Sequence, residues 1–478
     1  MPKVDGKKRT TVGFFAAALF TAALLLSEAN AQDIKVIDSI SKKPIKNATV
    51  LVDNTSIVTN DAGVAAINTP ITPASKISAK SPGYAKNDNV PSTAGTAAIE
   101  IPLRPFVPKA LYLSMYGASS KKLRNSALKL IEDTELNALV IDVKTDWGVL
   151  NYKSSIPLAA EVGGQKVILV KDLKEMVKQF KDKGIYMIAR IVTFKDNPLA
   201  QAKHGLAVKT QGGDLWRDRE RLAWVDPFRK EVWDYNIDIA IEAAKSGFDE
   251  IQFDYVRFPD SLRPKFSKPS TEEARVKAIT GFLQEAKRRL APYNVYLGAD
   301  IFGYVCWNAD DTQIGQKLEE LAGVPDYLSP MLYPSGFQFG IPGYKNPVAN
   351  PNKIVYLSLK RAQERTQLPP NRFRPWIQAF RDYAWDRRFF KGAPVREQIN
   401  AAEQFGSHGW MLWNPQNNYY PEGLKPKNAQ TAQAPAKPTA QAAAPVAAAT
   451  AQLPANQATA ATNNKPMAQA VTPVAAAK

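Results

Sequence analysis

Cysteine and histidine are almost absent from this 478-residue sequence, which has the single cysteine Cys306 and only two histidines, His204 and His408. One cysteine excludes an internal disulfide and any zinc site built from several cysteines. Two histidines exclude a three-histidine metal centre, so we predict no metal site. The sequence also lacks the phosphate-binding loop, the nucleophile elbow and the glycine-rich dinucleotide motif. Nothing in it indicates a cofactor.

Long apolar segments are missing beyond the N-terminus. Val12 to Leu26 is apolar but shorter than the roughly 20 residues that usually span a bilayer. Four basic residues precede this run, and Ala29-Asn30-Ala31 follows it with the small residues that a signal peptidase requires. We therefore interpret residues 1–31 as a secretory signal peptide that is cleaved before Gln32, with an uncleaved anchor as the alternative. The mature protein is expected to be exported and to have no membrane span.

Acidic residues are outnumbered, since Asp and Glu total 45 against 62 Lys and Arg, which gives a formal net charge of +17. Such a charge favours a polyanionic partner. Export makes nucleic acid a poor candidate, and part of the excess lies in residues 1–31 and 424–478. The remaining positive charge favours acidic cell-wall or capsular polymers as possible ligands.

Two composition changes divide the mature chain into three regions. Residues 32–104 contain short β-type runs separated by turn residues, a pattern that predicts a small all-β sandwich. Residues 424–478 are rich in Ala, Pro and Gln, contain no acidic residue and have no periodic apolar face, so we predict a disordered tail.

Residues 105–423 alternate between apolar strand-like runs and amphipathic helical segments. We predict eight strands in this region, which is the size of a (β/α)8 TIM-type barrel and gives an α/β fold class for the main domain. Several of the predicted strands end in charged or amide residues. Because barrel active sites lie at the carboxyl ends of the strands, these residues are the first candidates for chemistry.

Two carboxylates are the strongest catalytic candidates. Asp254 ends the fourth strand and Asp300 ends the fifth, so neighbouring strands would bring them close together. Cleavage of a glycosidic bond uses such a pair, with one carboxylate ionised and the other protonated. Arg257 lies just beyond Asp254 and could keep that carboxylate ionised. An ordinary Asp–Arg ion pair or a loop cap would explain the same residues without catalysis.

Other strand ends supply candidate substrate-binding groups. Alternation places Asp142 and Lys144 on one face of the second strand, where they could bind substrate hydroxyls or form an internal salt bridge. Aromatic and amide side chains beside acids suit the apolar faces and hydroxyl groups of sugars. The full set of predicted substrate-binding residues is Asp142, Lys144, Arg190, Arg257, Tyr333, Trp376, Gln378 and Trp413.

Two resemblances to known families support this division. The segments "KPIKNATVLVDN", "TNDAGVAAI" and "KSPGY" resemble carboxypeptidase regulatory-like sandwich domains. The segments "LVIDVKTDWGVLNY", "YMIARIVTFKDNPLA", "GFDEIQFDYVRFP", "PMLYPS" and "RPWIQAF" closely resemble a bacterial family of predicted glycosyl hydrolase barrels. That resemblance implies a TIM-type barrel, more distantly similar to the α-amylase superfamily, and implies a nucleophilic role for Asp254. The chain departs from the α-amylase pattern at two positions. Asp300 stands where that superfamily has a glutamate as general acid, and Gln252 stands where it typically has an arginine.

Our leading hypothesis is an exported glycoside hydrolase that cleaves a polysaccharide. Asp254 would act as nucleophile or base and Asp300 as general acid. One alternative is a non-catalytic glycan-binding envelope protein that keeps a glycosidase-like barrel. Another is an envelope scaffold that uses the sandwich and the tail for protein contacts. The sequence leaves open the sugar, the linkage, the stereochemical course and the oligomeric state.

Overall fold

The computed structural model describes residues 32–68, 71–92, 99–261 and 263–427. The predicted signal peptide at residues 1–31 and most of the predicted tail, residues 428–478, lie outside these ranges. Among the described residues, no helix combines the length and the apolar character that crossing a bilayer would require.

The N-terminal region is an all-β domain with two sheets, as predicted. One sheet has the strand order β4-β1-β7 and the other has the order β3-β2-β5-β6. A shared apolar core that includes Val36, Val50, Ala79 and Ile101 lies within this domain. Its strands are β1 Gln32–Asp38, β2 Thr49–Val52, β3 Thr55–Val58, β4 Val64–Ile67, β5 Ile77–Lys80, β6 Asn87–Val90 and β7 Ile99–Leu103.

The larger region is a closed barrel of eight parallel strands, each paired with its sequence neighbours and the last paired with the first. The (β/α)8 prediction is therefore confirmed. All eight predicted strands are present, with ends that differ by one to a few residues. They are β8 Lys109–Leu113, β9 Ala138–Lys144, β10 Tyr186–Val192, β11 Glu250–Asp254, β12 Tyr296–Phe302, β13 Tyr327–Met331, β14 Trp376–Gln378 and β15 Trp410–Trp413.

Helices surround the barrel and bury one apolar face each. In α7, for example, Ile279, Phe282 and Leu283 are buried at helical spacing, while the Thr271 side chain caps the first turn. The helices are α1 Met115–Ser119, α2 Lys121–Asp133, α3 Pro157–Glu161, α4 Leu173–Lys181, α5 Asn197–Ala202, α6 Lys230–Lys245, α7 Glu272–Leu290, α8 Leu318–Ala322, α9 Pro351–Thr366 and α10 Ala393–Phe405.

The sandwich domain packs against the end of the barrel where the strands begin. The Tyr296 hydroxyl, at the start of β12, lies 2.9 Å from the carbonyl oxygen of Ser81 and 2.8 Å from that of Tyr84, and its single proton can be donated to either. The Tyr327 hydroxyl, at the start of β13, accepts from the Gly83 N–H at 3.3 Å. The sandwich thus covers the amino-terminal end of the barrel. The carboxyl-terminal end is the one that carries the candidate site.

Candidate active site at the carboxyl end of the barrel

Arg190 lies at the centre of a buried charge cluster near the end of β10. Its Nη1 donates to Asp142 at 2.6 Å, and its Nη2 donates to Asp146 at 2.8 Å and to Asp254 at 2.6 Å. Its Nε adds a further bond to the same Asp254 oxygen at 2.9 Å. One guanidinium on β10 therefore holds three carboxylates, two from the end of β9 and the loop after it and one from the end of β11.

The charges in this cluster do not balance, because three carboxylates share one cation. Burial raises the pKa of Asp142 to about 6, although the charge of Arg190 opposes this shift. The Tyr112 hydroxyl donates to the second oxygen of Asp142 at 2.5 Å. A carboxyl with this pKa is protonated in weak acid, so Asp142 relieves part of the excess negative charge there.

Asp254 is held in place by its own backbone as well as by Arg190. Its Oδ1 accepts from the Tyr255 N–H at 2.6 Å, and Tyr255 has a φ of +47°. Left-handed backbone is unfavourable for a bulky residue and often marks functional sites. The partner of Asp254 is Arg190 rather than Arg257, which forms no ion pair with any described residue.

Asp300 lies beside this cluster but beneath the pocket surface. Its Oδ1 accepts from Gln252 Nε2 at 2.7 Å and from Trp376 Nε1 at 2.8 Å, while its Oδ2 is buried without a partner among the described residues. Burial, reinforced by the negative charge of Asp254, raises the pKa of Asp300 well above its usual value. Asp300 therefore binds its proton more tightly than an ordinary aspartate does, which suits a general acid, yet Trp376 and not Asp300 lines the pocket.

Lys144 occupies a different place from the one that alternation predicts. The register between β9 and β10 shifts after Asp142, so that Arg190 pairs with Asp142 but Ile191 pairs with Lys144. This bulge turns Lys144 away from the barrel interior, where it is fully buried against Asp196 at 2.6 Å and Asn236 at 2.8 Å. The prediction that Asp142 and Lys144 share one face of the strand is wrong, because the extra residue reverses the alternation of side chains.

The predicted aromatic residues Tyr333, Trp376 and Trp413 line a pocket above the cluster, together with Arg190, Arg257 and Asp254. Its remaining lining residues are Asp146, Tyr255, Phe302, Met331, Phe380, Tyr383 and Pro415. Gln378 is not in this lining. Its side chain bonds Ser335 instead, accepting from the backbone N–H at 3.0 Å and donating to the hydroxyl at 2.7 Å.

Asp146 is the charged residue of the pocket lining that the predicted set of site residues lacks. It lies in the loop after β9 and is the only carboxylate besides Asp254 in the pocket lining. Its neighbour Trp147 is 62% exposed. The segment Asp142-Val-Lys-Thr-Asp146 shows a second acidic residue just beyond the end of β9. Only the three-dimensional contact with Arg190 distinguishes Asp146 from an ordinary loop aspartate.

Exposed aromatic side chains are concentrated in the segments that follow the barrel strands. Tyr116 follows β8, Trp147 follows β9, and Phe339 follows β13. Trp385 and Phe389 follow β14, and Tyr420 follows β15. All six therefore belong to segments at the end of the barrel that carries the pocket.

Solved structures with similar folds include several glycoside hydrolases. A hypothetical protein from Ruminiclostridium thermocellum is 40% identical over 40% of this chain and 96% of its own, with a TM-score of 0.36. The PgaB (BpsB) glycoside hydrolase domain from Bordetella bronchiseptica is 14% identical over 65% of this chain and 95% of its own, with a TM-score of 0.48. The spore cortex-lytic enzyme SleL from Bacillus megaterium is 14% identical over 70% of this chain and 77% of its own, with a TM-score of 0.39.

No protein with a curated description matches the sequence. One family model does match, that of the Putative glycosyl hydrolase domain, over residues 110–419. The match begins in the first barrel strand and ends just beyond the last, so it contains every residue of the Arg190 cluster and the pocket. The chain belongs to the Putative glycosyl hydrolase domain family.

Proposed function

We propose that the barrel hydrolyses glycosidic bonds in an extended polysaccharide, with Asp254 as the carboxylate that acts at the anomeric carbon. The observation that carries this proposal is the double contact of Arg190 with Asp254 inside the aromatic pocket. A buried guanidinium with two bonds to one carboxylate oxygen fixes the position of that carboxylate and supplies a positive charge beside it. An ionised carboxylate at this position can act as nucleophile, as base or as stabiliser of an oxocarbenium-like transition state.

Asp300 is our proposed proton donor because its pKa is raised by burial and by the charge of Asp254. A general acid must carry a proton at working pH and release it to the leaving oxygen. Trp376 lies between Asp300 and the pocket, so delivery requires movement of the indole when substrate binds. Asp146 already lines the pocket and is the rival for this role.

The aromatic residues support a sugar polymer as the substrate class. Tyr333, Trp376 and Trp413 give the pocket the flat apolar surfaces on which sugar rings pack. The six exposed aromatic residues on the following segments would extend this surface beyond one sugar. We therefore propose several sugar-binding subsites along this end of the barrel.

Export remains part of the proposal and rests on residues 1–31 alone. A basic start, a short apolar run and Ala29-Asn30-Ala31 support cleavage before Gln32. Mass spectrometry of the secreted protein from a bacterial host should find Gln32 at the N-terminus. A secreted or envelope-bound protein that retains Met1 would contradict the cleavage.

The proposed activity is tested with the purified full chain and a panel of polysaccharides, measuring the release of reducing ends. We expect one or more glycans to be cleaved and Asp254→Asn to lower the rate by at least about a hundredfold. Asp214→Asn is the matched control, because Asp214 is exposed and forms no ion pair with a described residue. Glycan binding without hydrolysis would favour the alternative of a non-catalytic glycan-binding protein.

The proton donor is identified by varying the leaving group. We expect Asp300→Asn to lose hydrolysis of unactivated glycosides by about 10²–10⁴-fold and to retain it on dinitrophenyl glycosides, whose leaving group needs no proton. Steady-state rates on both substrates measure this. The same pattern in Asp146→Asn, with Asp300→Asn affecting both substrates alike, would move the role to Asp146.

A further inference from the structure

Five cationic side chains are buried among the described residues, and four of them contact carboxylates. Lys144 pairs with Asp196, and Arg374 pairs with Glu250. Lys195 contacts Asp218 and Glu220, and Arg190 contacts three aspartates. The fifth is Arg257, which has no carboxylate within 4.0 Å among the described residues although only 6% of it is exposed.

The guanidinium of Arg257 is fixed by aromatic rings. Its central carbon lies 4.5 Å from the ring centre of Phe302, 4.8 Å from that of Trp224 and 5.1 Å from that of Tyr255. Contacts of this kind stabilise a cation and leave its in-plane N–H groups available. The rings therefore orient Arg257 without using its hydrogen-bond donors.

The donors of Arg257 are largely unused. Nη1 donates to the carbonyl oxygen of Phe258 at 2.9 Å. Nε is buried without an acceptor among the described residues, and no contact of Nη2 with a described acceptor exists. Nε and Nη2 form the edge of a guanidinium that binds both oxygens of a carboxylate at once. Arg257 also lines the pocket beside Asp254.

We propose that Arg257 binds the carboxylate of an acidic sugar, such as a hexuronic acid, in the pocket next to Asp254. A buried charge without a counter-ion is costly, and a bound carboxylate would supply both the opposite charge and two acceptors. Asp146 and Asp254 do not supply them, because their contacts are with Arg190. This inference rests on the proposed function for the assignment of the ligand as a glycan, and it narrows the substrate class to acidic polysaccharides.

The test compares two ligands that differ only in the carboxylate. Oligosaccharides of a hexuronic acid and the same oligosaccharides after reduction of their carboxyl groups to alcohols are titrated into the full chain by calorimetry. The Asp254→Asn background prevents turnover during the titration. Arg257→Gln removes the charge, Arg257→Lys keeps the charge without the paired donors, and Arg361→Gln is a matched control at an exposed helix position.

We expect the uronic oligosaccharide to bind on the order of tenfold or more tightly than its reduced form. Arg257→Gln should remove that difference, Arg257→Lys should retain part of it, and Arg361→Gln should leave it unchanged. Equal binding of the two ligands, or equal loss of both in a folded Arg257→Gln variant, would overturn the inference. If circular dichroism shows that Arg257→Gln does not fold, the test uses Arg257→Lys instead. An affinity difference between the two ligands that is the same in Arg257→Lys as in the parent would overturn the inference.

The proposed hydrolysis and the proposed binding of a carboxylate by Arg257 can be rejected independently of each other. Cleavage of neutral glycans with no preference for uronic acids would preserve the proposed function and reject the role of Arg257. Arg257-dependent binding of uronic oligosaccharides without cleavage in the otherwise unaltered chain would preserve the role of Arg257 and reject the enzymatic proposal.

Discussion

The contacts of individual side chains near the pocket follow only in part from their positions in the sequence. Asp254 and Arg190 are brought together as strand-end residues, as the barrel pattern predicts. Asp142 contacts the same guanidinium, but from inside the barrel and with a hydrogen bond from Tyr112. Burial and shared partners determine the protonation state of Asp142, and a sequence shows neither. The sequence analysis paired Asp254 with Arg257 because the two are close in the chain, and only the folded structure shows that Arg190 is the arginine that binds Asp254.

The raised pKa of Asp142 predicts a pH-dependent contribution to stability. Its folded-state pKa of about 6 exceeds the ordinary aspartate value of 3.8, so the folded protein binds more protons than the unfolded chain between these values. The contribution of this group is therefore complete below about pH 4 and is lost as the pH rises through about 6. The change is on the order of 3 kcal/mol.

Urea unfolding of the original protein and of Asp142→Asn between pH 4 and 7 measures this change. As the pH rises, the free energy of unfolding of the original protein should fall relative to that of Asp142→Asn. Asp133→Asn is the control, since Asp133 is an exposed partner of Lys129. A pH-independent difference would show that Asp142 titrates normally.

Elements were predicted better than their local irregularities. All eight barrel strands were recognisable as apolar runs, because strands buried on both faces read as continuous hydrophobic segments. Two sandwich strands, β3 and β6, were not predicted, and both are short and largely exposed. The bulge in β9 was also missed, since a one-residue shift leaves the residue types unchanged while it moves Lys144 to the outer face of the strand.

The bulge makes Lys144 a structural residue instead of a pocket residue. Lys144→Met should destabilise the protein by about 3–5 kcal/mol, because Asp196 would be left buried without its counter-ion. Chemical denaturation measures the loss. The double variant Lys144→Met, Asp196→Asn should recover part of it, and glycan affinity should be unchanged in both. A stable single variant with weakened glycan binding would contradict this interpretation.

The sandwich domain and the candidate pocket lie at opposite ends of one barrel. The sandwich domain covers the end where the strands begin, and the pocket lies at the end where they finish. The sequence indicated both regions and the end of the barrel that carries the candidate pocket. It did not indicate the docking of the sandwich, because the contacts join the tyrosines of the strand starts to backbone atoms of a distant loop.

This arrangement predicts that the domain interface supports stability without contributing to catalysis. Tyr296→Phe removes a hydroxyl that serves two carbonyl oxygens, so we expect a loss of about 1–3 kcal/mol in the free energy of unfolding. The rate of hydrolysis per folded molecule should stay within twofold of the original. Thermal unfolding and initial rates measure the two effects. An equally stable variant with a large loss of rate would show coupling between the interface and the pocket.

The role of Asp254 is tested most directly by chemical rescue of Asp254→Gly with sodium azide, followed by identification of the product by nuclear magnetic resonance. The small anion can occupy the space of the missing carboxylate. If Asp254 acts at the anomeric carbon, azide should restore the rate and yield a glycosyl azide whose anomeric configuration is opposite to that of the substrate. A glycosyl azide with retained configuration, or full activity of Asp254→Gly without azide, would contradict that role.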